Sequence, residues 1–255
     1  MSFEVCGGVA VLTLQNPPAN AYSYAMMRQL DGWILQARMD PDVHVIVLTG
    51  EGERFFCAGA DVADQPATTP ATHYALCLHA SETLRRLEQT PKLVIAALNG
   101  HAAGGGLELA LACDLRVARR GVATLGLAAG APRGLPVAGS DQRLTRLLST
   151  SGARESMAAG VTLEVDDARD LGLVHEVLEA ATGADFMAQV LAWADRLCPP
   201  RADSGTIGLL KRTRLLGEVT DLALERALQQ CLSTAAGAAA GPSAQAADTH
   251  SYRGR

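Results

Sequence analysis

The chain has 255 residues, 48% of them hydrophobic, which is enough to bury a sizeable core and too apolar for global disorder. A formal net charge of −5 and an aromatic content of 4% argue against nucleic-acid binding, which needs a concentrated basic surface and stacking side chains. The six cysteines form no CxxC pair and read as buried, reduced thiols, and neither a signal peptide nor an apolar run near the ~20 residues of a bilayer span is present, so a soluble cytoplasmic protein is expected.

Residues 9–14 (Val-Ala-Val-Leu-Thr-Leu) and 43–49 (Val-His-Val-Ile-Val-Leu-Thr) are short β-branched runs that predict strands, the second buried on both faces. Between them Met26, Leu30, Trp33, Ile34 and Ala37 fall at helical spacing, with Ser23 placed to cap the helix. A second helical stripe runs through Leu76, Ala80, Leu84 and Leu87, and a third apolar run, 93–97, predicts another strand. Strands alternating with helices imply an α/β fold with parallel pairing through right-handed crossovers. Strand signals stop near residue 180; stripes at 182–197 and 218–235 predict helices, and the Ala/Gly/Ser-rich end offers little to bury. Pro199-Pro200 is the expected hinge, dividing a core at 1–198 from a helical region at 199–255 with a loosely ordered tail.

Two loops stand out, although the first, read alone, is equally an ordinary strand-to-helix loop. Phe55-Phe56-Cys57-Ala58-Gly59-Ala60-Asp61 follows the buried strand, and its small residues let a ligand approach the backbone closely. Asn99-Gly100-His101-Ala102-Ala103-Gly104-Gly105-Gly106 follows the third strand and opens a helix near Leu107. Orphan N–H groups at the positive end of a helix suit a phosphate or a developing oxyanion. A dinucleotide fingerprint starting at Gly104 fails because position 109 is leucine, and no phosphate-binding Gly-Lys-Ser/Thr loop exists. Glu108 lies three positions after Gly105, one turn along the same face, within an apolar run that penalises a carboxylate without a task. No metal-ligand spacing appears among the six histidines; His101, beside the glycines, reads as a packing residue.

The segments F-C-A-G-A-D (56–61) and N-G-H-A-A-G-G-G-L-E-L-A-L-A-C-D (99–114), with N-P-P-A-N-A at 16–21, resemble the signature segments of the crotonase (enoyl-CoA hydratase/isomerase) superfamily. Q-R-L-T-R at 142–146 and A-R-D-L-G-L-V at 168–174 extend the resemblance, which covers residues 3 to about 215. It implies a spiral of ββα units with a C-terminal helical region that assembles trimers, often paired into hexamers. It further implies an acyl-CoA thioester as substrate and no cofactor. The N–H groups of Ala58 and Gly105 are then expected to converge on one spot as an oxyanion hole, with Glu108 as the proton-handling group. Backbone around Asn20, Ala21, Ala58, Gly59, Ala60, Asp61 and Gly104 is expected to line the CoA path.

The family's second catalytic glutamate is replaced: Pro136 and Gly139 keep register and put Ala129 at its position. The cations near CoA are also few, with only Lys92 and Lys211 in the chain, Ala63 where a lysine is common, and Arg54, Arg253 and Arg255 as the candidate substitutes. The expected activity is hydration of an enoyl-CoA. Another enolate reaction (decarboxylation, isomerisation, thioester hydrolysis) and non-catalytic acyl-CoA binding are the alternatives.

Overall fold

A computed structural model of the chain describes residues 1–61, 70–126, 140–148 and 162–215. Ala129, Ala63, the 218–235 stripe, Arg253 and Arg255 lie outside them.

Strands β1 (Ser2–Cys6) and β2 (Val9–Leu14) form an antiparallel hairpin, and β2 pairs in parallel with β3 (Val45–Gly50). The intervening helix α1 (Tyr24–Met39) is capped by Ser23, whose side chain accepts from the Met26 N–H. Strand β4 (Phe55–Cys57) and helix α2 (Pro70–Glu88) complete one ββα turn. The next turn runs β5 (Leu93–Leu98), β6 (His101–Ala103) and α3 (Gly105–Leu111); the following one runs β7 (Leu115–Arg119), β8 (Thr124–Gly126) and α4 (Ser140–Leu147). Last come β9 (Thr162–Glu164), α5 (Val165–Asp170), β10 (Glu176–Leu178), α6 (Gly183–Asp195) and α7 (Ser204–Leu215).

Each turn gives its first strand to one sheet and its second to another. The larger sheet has the order β1-β2-β3-β5-β7-β10, the smaller β4-β6-β8-β9. Central strands of a parallel sheet covered on both faces read as unbroken apolar runs. In β3, Ile46 and Leu48 face the main core with α1, while Val45 and Val47 face a second cluster built with Phe186 and Val190 of α6. Two corrections apply to the sequence reading. The glycine-rich helix starts at Gly105 rather than near Leu107. Not all the described cysteines are buried: Cys6, at the end of the edge strand β1, is exposed and Cys77 is half-buried.

The described part of the C-terminal region lies against the core. Lys211 on α7 reaches Asp114 at 2.7 Å and donates to the Lys92 carbonyl at 3.0 Å. The N-terminus of α6 is held by Glu53, which accepts from the Gly183 N–H at 2.8 Å and pairs with the largely buried Arg119. The Gly183 N–H, then Arg119, lower the Glu53 carboxyl below its ordinary value. A lowered carboxylate contributes stability above its unfolded pKa and loses it as the pH falls through the folded value. Glu53→Gln is therefore expected to cost about 1 kcal/mol or less near neutrality, because the group is exposed and screened. The difference should vanish in acid, as read by urea melts at several pH values; a difference that grows on acidification would contradict the pairing.

Candidate active site

Both glycine-bearing loops emerge from the smaller sheet. Asn99, at the end of β5, accepts from the Gly50 N–H at 3.0 Å and donates to the Gly52 carbonyl at 2.9 Å, fixing the turn before β4. Asn20 does the same from the other side, donating to the carbonyls of Glu51 at 2.9 Å and Phe55 at 2.8 Å. Its side chain is buried and committed to these bonds, so only its backbone is left for a ligand. Asn16 reaches the Ala21 carbonyl at 2.6 Å and the Asp61 carboxylate at 3.3 Å, joining the 16–21 segment to the first loop.

The first loop then runs beside Tyr22. The Tyr22 N–H donates to the Gly59 carbonyl at 2.8 Å and its carbonyl accepts from the Asp61 N–H at 2.9 Å, a parallel bridge with Ala60 between the two bonds. In such a bridge the middle residue points its own N–H and C=O the other way. The Ala58 N–H, in contrast, donates to the Ala19 carbonyl at 3.0 Å. Ala58 therefore does not supply the open amide expected of it, and the Ala58/Gly105 pair is not a convergent donor pair. Extended backbone would turn the N–H groups of residues 58 and 60 to the same side. Gly59, at φ +105°, breaks that alternation and frees the Ala60 amide.

Gly59 also brings the loops together: a Cβ there would stand 3.1 Å from the Gly105 nitrogen. Gly105 opens α3 behind Gly104, which makes no side-chain cap. Among the described residues, no acceptor takes the N–H of Ala60 or of Gly105. Glu108 follows one turn later, 3% exposed, with its amide bonded to the Gly104 carbonyl at 3.1 Å and buried neighbours from Leu107 to Leu111.

The remaining side chains divide plainly. Cys57 is fully buried, and desolvation pushes its thiol up to about 12, so it is no nucleophile near neutral pH. His101 bonds Thr124 Oγ1 at 2.8 Å and packs edge-on against Phe55, a structural role. Lys92 donates to the carbonyls of Ala37 and Asp40, so both lysines of the chain are engaged within the core. Arg54 is exposed, with its guanidinium over the Phe55 ring. Tyr22 is the site residue that sequence reasoning missed. It directly follows the Asn20-Ala21 backbone, and an aromatic hydroxyl in that position was the available signal.

A family model described as enoyl-CoA hydratase/isomerase matches residues 4–233. An (E)-benzylidenesuccinyl-CoA hydratase from Thauera aromatica is 35% identical over 187 residues, 73% of this chain and 72% of that protein. A short-chain-enoyl-CoA hydratase from Clostridium acetobutylicum is 35% identical over 178 residues, 68% of this chain and 66% of that protein. The crystal structure of an enoyl-CoA hydratase from Bacillus anthracis superposes with a TM-score of 0.80 at 29% identity, covering 90% of this chain and 89% of that one. With the family model matched over most of its length and these relatives 35% identical, the chain belongs to the enoyl-CoA hydratase/isomerase family.

Proposed function

We propose that this chain adds water across the α,β double bond of an enoyl-CoA thioester, with the N–H groups of Ala60 and Gly105 holding the thioester oxygen. The observation that carries the reading is the buried Glu108 carboxylate one turn behind an open amide on α3, against a loop bearing a second open amide. Donors fixed in place before reaction stabilise charge that develops on an oxygen, and deleting one typically removes about 10²–10³ in rate. Glu108 takes a proton from water as the water oxygen bonds to the β-carbon. The electron pair of the double bond moves onto the thioester, giving an enolate whose oxygen rests on the two amides. A proton returned to the α-carbon, by Glu108 where position 129 carries alanine, completes the hydroxyacyl product. Relatives named as hydratases support this direction of chemistry.

Incubating the protein with enoyl-, malonyl- and hydroxyacyl-CoA thioesters and following products by mass tests the reading. The expected outcome is gain of water by a short enoyl-CoA and the reverse loss from its hydroxyacyl partner. Carbon dioxide release from malonyl-CoA with no change in the enoyl-CoA would replace hydration by decarboxylation, and no consumption of any thioester would remove the catalytic reading.

A further inference from the structure

Tyr22 is 8% exposed, and its hydroxyl is not among the described buried side-chain oxygens left without a partner. The ring is packed while its polar tip is left accessible, the position from which a hydroxyl can meet a ligand. The ring is not loosely placed, because both backbone groups of Tyr22 are bonded to the first loop on either side of Ala60. Its hydroxyl is seated at Gly105: a Cβ on that glycine would come within 2.3 Å of the phenol oxygen. The same phenol senses the Glu108 charge. The hydroxyl thus stands where one open amide, one loop and the buried carboxylate meet.

We propose that the Tyr22 hydroxyl is a third hydrogen-bond donor to the substrate's thioester oxygen, beside the Gly105 amide. The proposal rests on the acyl-CoA reading given above. A phenol rotates its proton about one axis and can aim it at an oxygen bound against Gly105 without moving the ring. Burial, and next the Glu108 charge, raise its pKa well above the ordinary phenol range, so the group stays a neutral donor throughout the working pH range. No proton is transferred by Tyr22. Its hydrogen bond strengthens as charge builds on the thioester oxygen, and the bond is made only when ligand is bound.

The test is Tyr22→Phe in the full chain, read three ways. Turnover of a short enoyl-CoA is expected to fall about 10- to 100-fold with KM changed far less, the behaviour of a donor used most in the transition state. The absorption of a bound dimethylaminocinnamoyl-CoA, which moves to the red when its carbonyl is polarised, is expected to shift less on the variant than on wild type. Thermal stability is expected to hold, since the ring stays packed and only its accessible hydroxyl is removed. Unchanged turnover together with an unchanged spectral shift would overturn the role. A marked fall in melting temperature would overturn it as well, by showing that the hydroxyl bonds the protein. Wild-type protein that neither binds nor turns over the probes would sink the acyl-CoA reading itself, which the variant comparison alone cannot do.

Discussion

Glu108→Gln is expected to lower turnover of a short enoyl-CoA by about 10²–10⁴-fold, the usual contribution of a positioned acid or base. The substitution keeps the shape of the side chain and a hydrogen-bonding end, so α3 and the two loops should stay where they are. Binding of the thioester should change little, because the Ala60 and Gly105 amides are untouched. The competing explanation is that Glu108 only complements the N-terminal end of α3. That role is worth about 0.3–1 kcal/mol of stability at a helix end and nothing in turnover. The position argues against it: a helix-dipole carboxylate sits in water, whereas Glu108 is 3% exposed between buried leucines. Saturation kinetics and a thermal melt on the same preparation separate the two. Loss of rate with an intact melt supports catalysis, and a small loss of stability with full rate leaves Glu108 as a charge at a helix end.

How much of this was legible beforehand depended on where each residue meets its partners. Strands β2, β3 and β5 stood out because they lie inside the larger sheet and send apolar residues into a core cluster on each face. Ser23 as a helix cap was legible because capping is local. The three-residue strands β4, β6, β8 and β9 left no periodicity to read, since their order comes from the sheet they jointly form. Glu108 and the Gly105 amide were readable from one helical turn. The open amide of the first loop was not: Ala58 and Ala60 are chemically alike, and only the positive φ of Gly59 decides which N–H is turned outward. Tyr22 escaped because its meaning lies in a contact with Gly105, distant in sequence and brought close by the spiral.

The geometry that holds the two loops together can be broken by one methyl group. A Cβ at Gly106 would stand 2.0 Å from the Cys57 carbonyl oxygen and 2.6 Å from its carbonyl carbon, both backbone atoms that cannot swing aside. In Gly106→Ala, either α3 backs away from β4 or the end of β4 moves and carries Ala58–Asp61 with it. Overpacking of this kind typically costs about 1–3 kcal/mol. The larger effect should fall on rate, because a displacement of about 1 Å between catalytic groups can remove about 10²-fold. Gly32→Ala is the matched control: it lies in the middle of α1 and its Cβ would meet nothing within 4 Å. There alanine should stabilise by about 0.5–1 kcal/mol through helix propensity, with turnover unchanged. If Gly106→Ala keeps full turnover, the spacing between α3 and β4 does not set the reactive geometry, and the two amides cannot be acting on one oxygen. If it folds, binds the thioester and turns over about 10²-fold more slowly, the close approach of α3 to Cys57 is what aligns the donors.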